Sequence, residues 1–214
     1  MNDNDTENYR ALRVTLESMT PPPGIITVGA AHELDRSGTV ACGLARVFAD
    51  AGHRTLIIDP YGGRTLRDQL GLTVTQLADV ARLSRGAANG VIKNLSAIAL
   101  SETQDCRRAS TTLIRSATAQ LRGVYDVVIV DARQICNNSV ALSFASVSDG
   151  VLLAFRFGRR PISGDRETVA QLEAVKAKIL GVVATGGSQT GPPMPPTRIE
   201  APAAPPQAQH ATVA

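Results

Sequence analysis

The stretch that decides the fold is residues 25–59, IITVGAAHELDRSGTVACGLARVFADAGHRTLIID. Two apolar runs, at 25–28 and 56–58, enclose a small-residue loop and a segment whose apolar residues recur at helical spacing until Gly52. This order predicts a strand, a loop, a helix and a second strand. Such a unit is a right-handed crossover between parallel strands, and anions bind at the loop after the first strand. The loop is therefore the first candidate site.

The rest of the chain continues the alternation of apolar runs and helical patterns. Helices are predicted at 6–18, 66–72, around 77–83, at 109–121, around 140–147 and at 167–178; strands are predicted at 95–100, up to Asp131, at 150–157 and at 179–184. This pattern predicts an α/β fold with a doubly wound, mostly parallel sheet that helices cover on both faces.

Three parts are expected along the chain. Residues 1–23 form an N-terminal helix closed by three prolines, and residues 24–185 form the α/β domain. Residues 186–214 contain seven of the twelve prolines, between Pro192 and Pro206, among Ala, Gln and Thr. We predict that this Pro/Ala-rich tail is disordered because it cannot bury enough apolar surface to fold.

Composition excludes several classes of protein. The net charge is only +3 and aromatic residues make up 3% of the chain, so no nucleic-acid partner is expected. Cys42, Cys106 and Cys136 match no metal-ligand spacing, and no metal site is expected. The chain starts without a signal-peptide pattern and contains no apolar run near 18 residues, so we expect a cytoplasmic protein.

The loop departs from the phosphate-binding pattern G-x-x-x-x-G-K-[ST]. No glycine lies between Gly29 and Gly38, and the first lysine of the chain is Lys93. Glu33 and Asp35 are expected where phosphate oxygens would lie, and two like charges about 4 Å apart repel by roughly 4 kcal/mol at an effective dielectric near 20. Either the loop binds no nucleotide, which we favour, or it binds one in a different way.

Two carboxylates are predicted beside this loop. Asp59 and Asp131 each follow a buried apolar strand, and the carboxyl ends of parallel strands meet at one edge of the sheet. A nucleotide–magnesium site would lie there. The alternative is that each carboxylate caps the turn that follows it.

Residues 7–185 resemble the cytoplasmic domain of bacterial tyrosine kinases of the capsular and exopolysaccharide type. These are P-loop proteins related to the cell-division and partition ATPases. The resemblance rests on ENYRALRVTL, with its E-x-x-R-x-x-R motif, on the stretch at 25–59, on YDVVIVDA and on DGVLLAFRFGRRP. It implies the P-loop fold, ATP and Mg²⁺ as cofactors, and tyrosine phosphorylation as the reaction.

The family's catalytic residues are largely missing, so the loop (Gly29, Ser37, Gly38, Thr39) and the acids Asp59 and Asp131 are interpreted as vestigial. Ser37 aligns with the P-loop lysine and Gly38 with the magnesium-binding hydroxyl, and only Thr39 is retained. The other departures are Tyr61 for the second carboxylate, Gly63 for an arginine, Ala132-Arg133-Gln134 for T-P-P, Thr185 near the adenine-binding asparagine, and no tyrosine after Tyr125.

The E-x-x-R-x-x-R motif, by contrast, is intact as Glu7, Arg10 and Arg13. In the family it mediates ring-like self-association and contact with a membrane-bound polysaccharide co-polymerase. The three residues share one helix face. Because two arginines face one glutamate, we expect at least one guanidinium to be free for another subunit.

These observations favour a catalytically inactive relative that regulates or scaffolds exopolysaccharide synthesis or export. Its expected partner is the co-polymerase or an active homologue, through which it would reach the inner membrane, and no cofactor is expected. The first alternative is an active tyrosine kinase or ATPase that holds ATP and Mg²⁺ in an atypical site. The second is a positioning protein of the partition type.

Overall fold

The computed structural model describes residues 3–22, 24–62, 64–71, 75–77, 88–89, 92–100 and 110–186. Its strands are β1 (Gly24–Ala30), β2 (Thr55–Asp59), β3 (Thr75–Leu77), β4 (Ala88–Asn89), β5 (Leu95–Leu100), β6 (Val127–Gln134), β7 (Gly150–Arg156) and β8 (Ile179–Thr185). Its α-helices are α1 (Asp3–Met19), α2 (Ser37–Asp50), α3 (Arg64–Leu70), α4 (Thr111–Leu121), α5 (Ser139–Val147) and α6 (Ser163–Ala174), with a 3₁₀ turn at Glu33–Asp35.

The strands form one sheet in the order β3-β5-β2-β6-β1-β7-β8. Every pairing along this path is parallel, and the two-residue β4 joins β5 in antiparallel orientation. The predicted α/β class with a doubly wound, mostly parallel sheet is therefore confirmed.

Helices cover both faces of the sheet. On one face α1 and α2 pack on residues such as Ile26, Val28 and Ile129, and on the other α4 and α5 pack on Ile25 and Val128. The central strands are apolar on both faces because both faces are buried, which is why they appear in the sequence as unbroken apolar runs. Among the described helices, none combines the length and the hydropathy that a membrane span requires.

Several elements differ from the sequence predictions. Leu77, predicted to be helical, ends β3, and residues 78–83 of that predicted helix lie outside the described residues, as does the tail from 187. The last helix begins and ends four residues early, because Asp165 accepts the N–H of Ile162 at 2.8 Å and Lys176 adopts a φ of 57°. Asp131 does not end its strand, since β6 continues to Gln134.

Helix α1 packs closely on α2 through a tyrosine and a glycine. A Cβ at Gly43 would lie 2.5 Å from the Tyr9 ring, and the Tyr9 hydroxyl donates to the Thr39 carbonyl at 3.3 Å. Leu16 of α1 is 1% exposed. The N-terminal helix is therefore part of the core of the domain.

The Tyr9–Gly43 contact leads to a stability prediction. Gly43→Ala should lower the free energy of unfolding by about 1–2 kcal/mol, since overpacking of the Tyr9 ring outweighs the better helix propensity of alanine. Denaturant unfolding measures the change. Gly123→Ala, where the nearest atom is 3.5 Å away, is the control and should change stability little. If Gly43→Ala costs as much in a Tyr9→Ala background as in wild type, the ring contact is not the cause.

Candidate nucleotide site at the carboxyl edge of the sheet

The loop between β1 and α2 donates its N–H groups within itself. The N–H of Leu34 bonds the His32 ring at 3.1 Å, that of Asp35 bonds the His32 carbonyl at 3.0 Å, and that of Arg36 bonds the Glu33 carbonyl at 3.4 Å. Arg36 then takes a left-handed conformation (φ 58°, ψ 40°) before α2 begins. A phosphate cradle needs several free N–H groups that converge on one point, and these three have internal acceptors instead.

Asp35 does not point into the expected phosphate position. Its side chain is buried and pairs with Arg159 of the β7–α6 connection, with Nε–Oδ1 at 2.8 Å and Nη2–Oδ2 at 3.0 Å. It also accepts the N–H of Arg156 at 3.0 Å. The prediction that Asp35 repels a phosphate is therefore wrong, because Arg159 neutralises the charge of Asp35. Only the exposed Glu33 remains free to act in that way.

Arg159 connects three segments around the loop. Its guanidinium bonds Asp35 and also Asp165 of α6 at 2.6 Å, and it lies 4.4 Å above the Phe155 ring. The Thr185 hydroxyl, at the position near the family's adenine-binding asparagine, donates to the Asp35 carbonyl at 2.9 Å. The loop is thus fixed to the ends of β7 and β8 and to the start of α6.

The first turn of α2 has no room for a metal-binding hydroxyl. A Cβ at Gly38 would lie 2.6 Å from Cγ2 of Thr65 and 3.0 Å from Oδ2 of Asp131. The neighbouring Ser37 is buried, and its hydroxyl is 3.5 Å from Oδ1 of Asp131. Thr65 of α3 therefore fills the space that a side chain at position 38 would need.

The other residues of the predicted vestigial loop have structural contacts. A Cβ at Gly29 would clash with the Ile135 side chain, so Gly29 allows the close approach of the segment after β6. Thr39 is exposed, and its N–H is bonded to the Arg36 carbonyl at 3.0 Å. The structure thus brings Ser37 and Gly38 next to Asp131, as predicted, while Gly29 has a packing role.

An arginine neutralises the first of the two carboxylates. Asp59 is fully buried, and its Oδ2 lies 3.0 Å from Nη2 of Arg133. Its Oδ1 accepts the N–H of Tyr61 at 2.7 Å, which is the turn-capping role offered as the alternative interpretation. The same guanidinium nitrogen reaches the Tyr61 carbonyl at 3.3 Å, and its carbon lies 5.1 Å from the centre of the Tyr61 ring.

The sequence analysis missed the role of Arg133. Its backbone has a φ of 49°, and the pairing of β1 with β6 shifts register so that Val28 faces Asp131 and Gly29 faces Arg133. A proline could not adopt this backbone conformation. The Arg133 side chain extends from β6 towards Asp59 at the end of β2. The available signal was the arginine that replaces the first proline of the family's T-P-P.

Asp131 is buried next to this pair without a cation of its own. Its Oδ1 accepts the N–H of Arg133 at 3.2 Å, which confirms its turn-capping interpretation, whereas Oδ2 has no hydrogen-bond partner among the described residues. Burial, followed by the nearby Asp59 carboxylate, raises the pKa of Asp131 to about 7. The Arg133 cation and its N–H act in the opposite direction.

These residues do not fit a magnesium–nucleotide complex. A magnesium ion needs carboxylate or hydroxyl oxygens at about 2.1 Å, with room for its waters. Here Arg133 bonds Asp59, Thr65 lies against the position where the hydroxyl would project, and no lysine aligns with the P-loop position. Both acids of a nucleotide site are present, but protein atoms fill the space between the elements around them.

The E-x-x-R-x-x-R helix face is more self-contained than predicted. Arg10 pairs with Glu7 at 3.2 Å, and Arg13 pairs with Glu17 at 2.6 Å. Glu17 is also 2.9 Å from Nε2 of His53. The expectation that one guanidinium is left without a carboxylate is therefore wrong, because Glu17, one turn further along, lies outside the motif. Glu7 and Arg10 remain the exposed part of this face.

Comparison with known proteins gives one curated relative and several similar structures. No family model matches the chain. It is 26% identical over 191 residues to the succinoglycan biosynthesis transport protein ExoP of Rhizobium meliloti (strain 1021), which covers 83% of this chain and 24% of ExoP. This chain thus spans about a quarter of the length of that relative.

Two solved structures show the shared fold. The kinase domain of the Escherichia coli tyrosine kinase ETK superposes with a TM-score of 0.71 at 20% identity, covering 88% of this chain and 78% of that one. The MinC:MinD cell division protein complex of Aquifex aeolicus gives a TM-score of 0.62 at 15% identity, covering 75% and 68%. Both likenesses lie within the family relations predicted from the sequence.

The Arg133–Asp59 pair predicts a large stability effect for a neutral replacement. Arg133→Met should lower the free energy of unfolding by about 2–3 kcal/mol, because it leaves a buried carboxylate without a cation. Arg166→Met, at an exposed position of α6, is the matched control and should have an effect within about 0.5 kcal/mol. Asp59→Asn should recover part of the loss in the Arg133→Met background. No recovery would show that the loss comes from packing and not from charge.

Asp131 predicts a specific pH dependence. Its pKa is about 7 in the folded protein and about 3.9 in an unfolded chain, so its stabilising contribution is present below about pH 4 and is lost as the pH rises through 7. At pH 8, Asp131→Asn should be more stable than wild type by about 2 kcal/mol, and the gap should close towards pH 4.

Asp126 is the control for that measurement, because Arg54 lowers its pKa and the sign reverses. Asp126→Asn should lose stability near neutral pH relative to wild type and regain it in acid. Denaturant unfolding across pH 4–8 provides both profiles. Parallel profiles for wild type and Asp131→Asn would contradict a titrating Asp131.

Proposed function

Because the chain carries the α/β domain of the bacterial tyrosine-kinase and exopolysaccharide P-loop family, we propose that it is a catalytically inactive member that acts by binding. In this proposal it regulates or scaffolds exopolysaccharide synthesis or export. The observation that carries the proposal is the ion pair between Arg133 and Asp59. It uses a carboxylate that the family employs in its nucleotide–magnesium site.

Electrostatics argues against the addition of a metal ion to this pair. The carboxylates of Asp59 and Asp131 are fully buried, and the Arg133 cation already compensates one charge. A bound cation would have to displace the guanidinium or to share Asp59 with it, and like charges repel strongly where the local dielectric is low. The pair therefore favours a site without a metal.

The loop supports the same proposal from the nucleotide's side. Phosphoryl transfer depends on positioning and on charge neutralisation by lysine, magnesium and loop N–H groups. Here the N–H groups of Leu34, Asp35 and Arg36 have acceptors inside the loop. Asp35 and Arg159 hold that arrangement, so opening it would expose a buried ion pair.

The tyrosines also fit a protein that is not its own phosphorylation substrate. The Tyr9 ring packs against Gly43, and burial raises its pKa to about 12. The Tyr61 hydroxyl accepts a hydrogen bond from Asn138 at 2.7 Å, and Tyr125 is 9% exposed. These are all three tyrosines of the chain. A kinase would need a hydroxyl that reaches its active site or that of a neighbour.

A binding role needs a surface and a partner. Glu7 and Arg10 form an exposed ion pair, with 69% and 56% of their side chains accessible. Such a pair contributes little to the stability of the monomer, so its groups are available to carboxylates and cations of another protein. We propose the membrane-bound polysaccharide co-polymerase, or an active homologue, as that partner. It would bring the chain to the inner membrane.

The proposal predicts that the purified protein does not bind ATP or ADP with Mg²⁺. Isothermal titration calorimetry should give no saturable heat corresponding to a dissociation constant below about 100 μM, which is roughly −5.5 kcal/mol. The kinase domain of the tyrosine kinase ETK, titrated under the same conditions, is the positive control.

Tight binding in this titration would favour the alternative of an active enzyme with an atypical site. Mass spectrometry after incubation with MgATP then decides between the two readings. Phosphotyrosine that disappears in Asp59→Asn would establish a kinase. No phosphotyrosine in wild type or Asp59→Asn, together with no nucleotide binding in the titration, supports the scaffold proposal.

A further inference from the structure

The last strand of the sheet, β8, has an open edge. It pairs with β7 on one side and has no strand on its other side among the described residues. Its sequence, ILGVVAT, contains neither a charged residue nor a proline. Edge strands are normally protected by charges, prolines, bulges or covering elements, because their free N–H and C=O groups can pair with another chain. The pairing of β8 with β7 has one irregularity, a register shift that skips Leu180 near the start of the strand. Residues 181–185 beyond it carry no charge, proline or register shift.

The hydrogen bonds to β7 show which backbone groups face outwards. The Thr185 carbonyl accepts the N–H of Phe157 at 2.8 Å, and Thr185 is in register with Arg156. In a parallel pair, alternate residues direct both backbone groups towards the same neighbour. Thr185 and Val183 therefore bond β7, while the N–H and C=O groups of Val182 and Ala184 point away from the sheet.

Exposed apolar side chains lie on this edge and beside its end. Val182 is 55% exposed, and Phe157, whose N–H bonds the end of β8, is 69% exposed. Val169 and Ile162, at 36% and 40%, lie on and just before α6, the helix that leads to β8. Met19, at 38%, accepts a bond from Lys178 just before β8. Val182 and Phe157 are thus two of the eight large apolar side chains that are exposed in the described chain.

We propose that β8 is a docking edge for a second copy of this chain. Two β8 strands pair antiparallel across a two-fold axis near Val182, so that the two sheets become one continuous sheet. The contact is isologous and closed, because the same strand serves on both subunits. Main-chain hydrogen bonds from Val182 and Ala184 join the two strands, and the exposed apolar side chains nearby become buried in the contact.

The charges around β8 favour this orientation and a second copy as the occupant. With Val182 opposite Val182, Lys178 of one subunit lies opposite Gly186 of the other, and the two Lys178 side chains lie about 26 Å apart. A parallel arrangement would place equivalent lysines side by side. The strand itself carries no charge that its own copy would repel.

This contact is separate from the Glu7–Arg10 face and does not rest on the proposed lack of catalysis. The pairing strand is short, at seven residues, and a stable interface usually buries about 800 Å² on each partner. We therefore expect a dimer that forms at tens to hundreds of micromolar and becomes stronger where a partner concentrates the chain.

Sedimentation equilibrium of the full chain, from about 10 to 500 μM, tests the proposal. Wild type should dimerise, and Val182→Lys should weaken the dimer at least about tenfold. Val14→Lys is the matched control, because Val14 is a valine of similar exposure, 57%, on α1. It should leave the dimer unchanged. Ala184→Lys serves as a second edge variant in case Val182→Lys does not fold, which circular dichroism checks.

Hydrogen exchange locates the contact. The amides of Val182 and Ala184 should be protected at high protein concentration and exchange quickly at low concentration, whereas the Val183 amide, bonded to β7, should be slow at both. A monomeric wild type over the whole range, or a dimer that both edge variants retain, overturns the proposal. A dimer that Val14→Lys also disrupts overturns it as well, since the contact would then lie on α1 or be non-specific.

Discussion

The Arg133 guanidinium reaches across the carboxyl edge of the sheet and pairs with Asp59, 3.0 Å away, beside the buried Asp131. Neighbouring buried carboxylates repel each other, which favours protonation of one of them, as the raised pKa of Asp131 shows, or a cation beside them. In a nucleotide-binding relative that cation would be a metal ion. Here the chain supplies it from the residue two places after Asp131, so the arrangement of β2, β6 and the start of α2 does not require a ligand.

A second buried ion pair fixes the neighbouring loop. Asp35 is enclosed by Arg159 and by the N–H of Arg156, and Arg159 also bonds Asp165. Breaking a buried pair costs several kcal/mol because one charge is left without compensation. The two pairs together explain how a loop that lacks the glycines and the lysine of a P-loop keeps one conformation at the same place in the same fold.

Much of the fold could be predicted from the sequence, because buried parallel strands are unbroken apolar runs and the helices between them keep their period. The positions of Asp59 and Asp131 at one edge followed from that topology. The pairings did not, since Arg133 and Arg159 reach carboxylates that are distant in sequence, and Glu17, the partner of Arg13, lies outside the motif that was considered. Asp35 is an example. Its charge was known from the sequence, but the direction of its side chain depends on the bond from Arg156 of β7, more than 100 residues later.

The central claim is that the Arg133 guanidinium takes the place of a bound cation at Asp59, beside Asp131. Thermal unfolding of wild type and Arg133→Met, with and without about 10 mM Mg²⁺, tests it most directly, since a ligand that binds only the folded state raises Tm. The account predicts that Mg²⁺ leaves the Tm of wild type unchanged and raises that of Arg133→Met, in which Asp59 has lost its cation. An equal rise in both proteins would contradict it, because Asp59 and Asp131 would then be free to bind metal while Arg133 is present.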